Sequence, residues 1–400
     1  MDDATTAAEA APPVPEAPSG EELTGTTPQT TADGSADDTP EAVTDAQPPE
    51  TPETPPDAPD APDAGRGRSA PVWVRAAALA VLLALGVSGC VLMLTWTASR
   101  TAPHHLPMAI AGPRAVAEAG KKSVEANPPG AFDVTIEADA DHARQAVKDR
   151  RVYGALIVED TQLRLLLAPA SSADAAQELY RLAANLQARS QGLGLQVEEV
   201  VAAPTSDPRG TVPGLAVLAL IGAAVAAGVV LHLRVRPLRD RLVAVVALAV
   251  AGGAASEVVL HPLAGALTGS VWAEGGVLAL VILAASATTL GFAAVAGPPG
   301  AALAAVLLVP FGYPISGGTS APELLPQPWG PAGQYLPPGA GVSALRGAAY
   351  FGGAGSATPI TILAIWSVIG LALAAYPALA AVRSGARRIT TPRPEPMPAA

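Results

Sequence analysis

Apolar positions fall into six runs, and the stretches between them differ sharply in character. The first run, 76–99, reads AAALAVLLALGVSGCVLMLTWTAS; it carries no charge and is bracketed by Arg75 and Arg100. About 20 apolar residues cross a bilayer core as a helix, and this run exceeds that. It is also longer than a signal-peptide apolar region of roughly 7–15 residues, which predicts a retained membrane anchor. Further runs follow at 210–231, 242–260, 275–296, 301–315 and 359–382. The run at 301–315 is the shortest, broken by Pro310 and Pro314.

Between the first and second runs the period alternates. A short apolar run at 105–111 predicts a strand, and 114–127 a helix. Phe132, Val134 and Ile136 alternate with Asp133, Thr135 and Glu137, the period of a half-buried strand. Residues 139–151 read as a helix. VYGALIV at 152–158 is continuously apolar, as in a strand covered on both faces, and 163–167 is a second strand after a short turn. Ser171 with Asp174 three residues on forms a capping-box pattern. The helix it opens buries Ala175, Leu179, Leu182 and Leu186, and 195–201 closes the unit as a strand. The order β-α-β-α-β-β-α-β predicts a small α/β domain of about 100 residues. The fold class expected is an α-helical bundle of six transmembrane helices with a small extracellular α/β domain between helices 1 and 2.

Charge orients these elements. Arg66, Arg68 and Arg75 precede the first run; Arg234, Arg236, Arg239 and Arg241 follow the second; Arg383, Arg387 and Arg388 follow the last. The positive-inside rule then puts both termini in the cytoplasm and 101–207 outside a multi-pass cell-membrane protein. The net charge of −11 is unevenly spread: the first 65 residues hold 16 acidic and no basic residues, so the remainder is basic by five. That tail is rich in Pro, Thr, Ala, Asp and Glu with almost no large apolar residues, so burial cannot offset the entropy of ordering it. The domains expected are a disordered tail at 1–72, helix 1 at 73–99, the extracellular domain at 100–209, a five-helix membrane domain at 210–382 and a cytoplasmic tail at 383–400.

The chain shows little chemistry. It has no phosphate-binding loop, HExxH or GxSxG motif, so no enzyme and no cofactor is expected. GPPG at 297–300 lacks a lysine and reads as a turn. The single cysteine, Cys90, excludes an internal disulfide and a Cys-based zinc site. His104 and His105 are adjacent, so their side chains face different ways. No strongly basic domain gives a footprint for nucleic acid. Glu257 stands out: it lies roughly 22 Å along the third apolar run at about 1.5 Å per residue, where a carboxylate is costly and faces protein or a water-filled cavity. His261, four residues on, is a candidate partner on the same face. Gly214, Gly222, Gly228, Gly252, Gly253 and Ala255 give the second and third helices small faces that let helices approach closely. The segment 317–356 is too apolar for a free loop and too rich in Pro and Gly for a span; it reads as a re-entrant or interfacial hairpin, with a short amphipathic helix at 342–351 carrying Arg346. Glu257, His261 and Arg346 are the candidates for a transport pathway.

HLPMAIAGP, AFDVTIEADADHARQAVKDRRVYGALIV, LLLAPASSADAAQEL and LLPQPWGPAGQYLPPGAGVSALRGAAYF together resemble the phage-infection-protein-like (Pip/YhgE) membrane proteins, in the six-helix actinobacterial form, of the wider ABC-2-type permease class. The resemblance covers about 106–382, and the acidic tail is not part of it. It implies one helix, an extracellular domain and five more helices. Function would be export of a lipid, envelope component or drug-like molecule across the lipid bilayer, energised by a separate ATPase subunit, by a homodimer. The rival expectation is a non-transporting envelope protein whose ectodomain binds a partner, scaffolds secretion or acts as a phage receptor.

Overall fold

The computed structural model describes residues 71–126, 128–159, 162–190 and 194–389. Nearly all of the expected disordered tail at 1–72, and the end of the tail at 383–400, lie outside the described residues.

After helix α1 (Val72–Ser99), the α/β domain follows in the order β1 (Leu106–Ala111), α2 (Arg114–Glu125), β2 (Phe132–Glu137), α3 (Ala140–Lys148), β3 (Gly154–Val158), β4 (Gln162–Leu167), α4 (Ala173–Arg189) and β5 (Gly194–Glu199). The strands form one sheet in the order β2-β1-β3-β4-β5. All neighbours are parallel except the β3–β4 hairpin. Side chains on a strand alternate between faces, and the core divides accordingly. Leu106, Met108, Ile110, Leu156 and Leu165 pack with Ala117 of α2 and Leu179 of α4. Ala109, Ala111, Ala155, Ile157 and Leu166 pack with Ala143, Ala146 and Val147 of α3 on the other side. β3 is central and buried on both faces, as its unbroken apolar run predicts. Ser172 rather than Ser171 caps α4, its Oγ accepting from the Ala175 N–H at 3.3 Å. The expected cap is thus displaced by one residue: Ser171 is instead buried.

The membrane part consists of α5 (Val212–Arg234), α6 (Leu238–Val258), α7 (Val271–Ala296), α8 (Pro298–Val306), the short α9 (Trp329–Gly333), α10 (Pro337–Tyr350) and α11 (Ala357–Ile389). Among the described residues, four helical stretches are long and apolar enough to cross a membrane: Val212–Arg234, Leu238–Leu263, Val271–Ala296 and Ala357–Ala380. The six spans expected are therefore reduced to four by this measure. The shortfall falls on α1, of which Ala84–Thr97 is the described apolar part, and on Pro298–Phe311. Proline sets the second case. A proline inside a helix removes a donor and crowds the carbonyl one turn back; α8 widens into a π-turn at Leu307–Phe311 around Pro310, and α6 does the same at Val259–Leu263 around Pro262.

α7 is the axis of the bundle. It is buried along Val277, Leu278, Val281, Ile282, Ala284–Gly291 and Ala293 by α5, α6, α10 and α11. Glycines permit the closest approaches: a Cβ on Gly370 of α11 would lie 2.4 Å from Ala287 C, and one on Gly291 would lie 2.4 Å from Gly370 O. The small residues expected to form a close-packing face behave likewise. Gly228 abuts the Ser286 carbonyl and Gly253 abuts Ala279, while Gly222 faces open space.

α10 corrects a second expectation. It starts at Pro337, two prolines occupying its first turn, and it is buried almost all round from Pro337 to Ala349 rather than amphipathic at an interface. The α/β domain sits directly on this region: Ala321 and Leu324 join one of its cores and Phe351 joins the other. Replacing Leu156, 3% exposed, by Ala should lower the unfolding free energy of the domain within the full chain by about 2–5 kcal/mol. The edge-strand control Val197→Ala, at a position 45% exposed, should change it by less than about 0.5 kcal/mol. Hydrogen exchange at the β3 amides, with the chain in detergent, reads both.

Candidate functional site

Two polar constellations stand out, and each is built by ends of helices. The first lies where α6 turns into α7. Glu257 closes α6, His261 sits on the π-turn, and Glu274 lies in the first turn of α7. His261 Nδ1 is 2.7 Å from Glu274 Oε2 and 3.3 Å from Glu257 Oε1. The other Glu274 oxygen accepts the Gly269 N–H at 2.6 Å. Glu257 is 4% exposed and Glu274 fully buried, yet neither Glu257 oxygen has a hydrogen-bond donor. Gly275 faces this side chain: a Cβ there would meet the Glu257 Cβ and Cγ at 3.7 Å, an ordinary contact. One oxygen or nitrogen from each of the three side chains falls within 4.8 Å of the others. The connecting loop is moored to α10, through Tyr350 Oη donating to the Ala266 carbonyl at 2.7 Å and Thr268 Oγ1 to that of Ala349 at 3.2 Å.

The pairing of Glu257 with His261 is the one the helical spacing suggests. Glu274 was not a candidate: it falls in what reads as a short outer loop before the fourth apolar run. The signal available was the capping potential of Ser270, which opens α7 four residues before Glu274 and so puts this carboxylate inside an apolar helix.

The second constellation joins the α/β domain to the outer segment. Arg346, the third sequence candidate, is 3% exposed and stands apart from Glu257 and His261 in its bonding: its partners are four backbone carbonyls. Nη1 donates to Gly317 and Ser320, both at 3.2 Å; Nη2 donates to Gly318 at 2.9 Å and Gly210 at 3.4 Å. Its Nε is buried without a partner. Non-helical backbone at such a place must have its polar groups satisfied by protein or water, and Arg346 supplies the donors for the 317–320 turn.

Beside it, a cavity of about 340 Å³ is lined by Arg150, Tyr153, Glu323, Gln334, Ser343 and Arg346, among others. Arg150 donates to the Ser343 carbonyl at 2.6 Å and lies over the Phe351 ring at 5.6 Å. Tyr153 Oη donates to Glu323 Oε2 at 2.7 Å. Burial, then the Glu323 charge, pushes the Tyr153 phenol well above its ordinary value, so it stays a donor; burial pulls Arg150 down against the pull of Tyr153 and Glu323. Arg150, Tyr153 and Glu323 were not legible as a group, since nearly 200 positions separate Arg150 from Ser343 (|i−j| = 193). His104 and His105 lie in the linker after α1, where the His104 N–H donates to the Glu323 carbonyl at 2.8 Å.

No family model, curated protein or solved structure matches the chain.

Arg346→Met keeps the length of the side chain and removes every donor, taking the guanidinium from the Ser320, Gly318 and Gly210 carbonyls and leaving that of Gly317 with only the Ser320 N–H. Each unsatisfied buried polar group costs about 1–3 kcal/mol, so the variant should be less stable by at least about 2 kcal/mol in thermal or chemical unfolding. Proteolytic cleavage should move into 316–321. A variant as stable and as protease-resistant as the parent would show that water satisfies this turn.

Proposed function

We propose that this chain is the permease subunit of an ABC-2-like exporter, acting as a homodimer with a separate ATPase and moving a lipid, envelope component or drug-like molecule outward. The observation that carries the proposal is the junction between the α/β domain and the membrane helices. Arg150, Tyr153, Glu323 and Arg346 tie the two parts around one cavity, and Leu324 and Phe351 enter the two hydrophobic cores of the α/β domain. An ectodomain built into the mouth of a helix bundle can respond to helix motion. A domain that only displays a binding surface needs a tether alone.

In this reading both termini are cytoplasmic, the α/β domain is external, and there are six spans. α1, 28 residues long, spans about 42 Å at 1.5 Å per residue, enough for a core of about 30 Å. Pro298–Phe311 covers only about 21 Å and in this reading crosses a locally thinned bilayer. The chain lacks a phosphate-binding loop, so the energy comes from a partner chain. α7 is packed on all sides by α5, α6, α10 and α11 with small side chains, so a substrate route runs between two copies. Exposed apolar residues on α1 (Leu85, Leu92), α6 (Val243, Val250) and α11 (Ile365, Val368) are available to lipid or to the second copy.

The same filled bundle favours a second reading, a non-transporting envelope protein whose ectodomain binds a partner. Purification from native membranes separates the two. An ATPase with a phosphate-binding loop that co-purifies in stoichiometric amount is expected; a chain recovered with envelope partners and no ATPase supports the second reading. The topology has its own check. With Cys90 replaced by Ser, a cysteine at Lys122, exposed on α2, should react with an impermeant reagent on intact cells, and one at Arg239 should be protected. The reverse pattern inverts the orientation.

A further inference from the structure

We propose that Glu257, His261 and Glu274 form a binding site for a divalent transition-metal ion of the zinc type, independent of whether the chain transports anything. Charge is the first reason. Two carboxylates, 4% and 0% exposed, share the end of an apolar helix pair with one imidazole. A protonated His261 balances one of them and leaves the other to be neutralised by a proton or by a bound cation. A dication balances both with His261 neutral.

Bonding is the second reason. Both Glu257 oxygens are buried without a donor, although Oε1 points at the cluster, 3.3 Å from His261 Nδ1. A proton, an ordered water or a cation can fill that position. Ligands about 2.0–2.1 Å from a tetrahedral zinc lie about 3.3 Å apart. The Glu257–His261 separation has this value, and the Glu274–His261 contact of 2.7 Å must open by roughly 0.6 Å to reach it.

Support from outside the triad is the third reason. Metal-ligating side chains are oriented by hydrogen bonds to their remaining atoms. Glu274 Oε1 takes the Gly269 N–H, which leaves Oε2 for the cluster. Gly269 is held in turn: a Cβ there would lie 2.3 Å from the Ala348 carbonyl oxygen. The π-turn around Pro262 carries His261, and such turns mark functional sites often enough to be informative. One imidazole among the donors suits zinc better than magnesium. Three protein ligands leave a coordination position for water or another oxygen ligand, on the side where the His261 side chain is 28% exposed.

The experiment is metal analysis of the purified full chain in detergent, stripped with chelator and equilibrated with Zn²⁺, Mn²⁺ or Co²⁺. One ion per chain is expected. Co²⁺ should give visible absorption of a low-symmetry nitrogen–oxygen site, and Zn²⁺ should raise the Tm of the parent. Glu257→Gln and His261→Gln should each weaken binding by at least about tenfold and abolish the Tm shift. The His104→Ala/His105→Ala double variant should bind as the parent does, which separates the site from adventitious histidines. If a ligand variant does not fold, the Co²⁺ spectrum and stoichiometry of the parent decide alone. A parent that takes up no stoichiometric metal, or binding that survives both ligand variants, overturns the proposal and leaves the two carboxyl groups sharing a proton.

Discussion

The guanidinium of Arg346 is the tie on which the outer half of the molecule depends. The segment after α8 leaves helical geometry at Gly312 and returns to it only at Pro337, apart from one 3₁₀ turn and the short α9. Buried backbone of this kind needs donors for its carbonyls, and one planar five-donor side chain reaches four of them. Because Gly210 belongs to the entry of α5 and 317–320 to the outer turn, the same side chain fixes the α/β domain's exit relative to the hairpin. Asp207 reinforces that exit by accepting the Thr211 and Val212 N–H groups at 3.0 and 2.8 Å, a carboxylate at the positive end of α5.

Below this tie the bundle is held by close approach rather than by bulky side chains. α7 offers Ala284, Ala285, Ser286, Ala287, Thr288 and Gly291 to its neighbours. Ser286 and Thr289 satisfy their own hydroxyls on carbonyls one turn back, so they pack as small residues. In lipid there is no hydrophobic drive to bring helices together, and dispersion between close backbones replaces it. Gly370 and Gly291 set the α7–α11 crossing for this reason. The small residues that look in the sequence like a surface for another copy are largely consumed inside the chain, which leaves the exposed Leu and Val faces of α1, α6 and α11 for lipid or a second protomer.

The two polar constellations are linked through α10. Its C-terminal residues Ala349 and Tyr350 hold the loop that positions Glu274, while Arg346 and Ser343, one and two turns earlier, hold the 317–320 turn and the α/β domain. A shift of α10 therefore reaches the Glu257–His261–Glu274 corner and the 340 Å³ cavity together. This buried helix is thus in contact with both the α/β domain's cavity and the loop that joins α6 to α7.

Local pattern determined much of this protein. The alternation in Phe132–Glu137, the unbroken VYGALIV and the helical spacing of 173–189 place every strand and helix of the α/β domain, because periodicity and burial are coupled over a few residues. Apolar length finds the four helices fit to cross a membrane but adds two runs that do not meet that measure, and the four-residue spacing of Glu257 and His261 makes them neighbours on any helix. Tertiary structure decided the rest. Leu307–Phe311 shortens one apolar run because proline opens a π-turn whose extent depends on its neighbours. Val342–Phe351 reads as amphipathic, yet α7, α11 and the α/β domain bury it on every side, and a helix's surroundings cannot be read from its own polarity when its residues are mostly Gly and Ala. Glu274 joined Glu257, and Arg150 joined Arg346, only through contacts across 17 and 193 residues or more. Such pairings are set by how elements pack, and no local pattern in the chain encodes them.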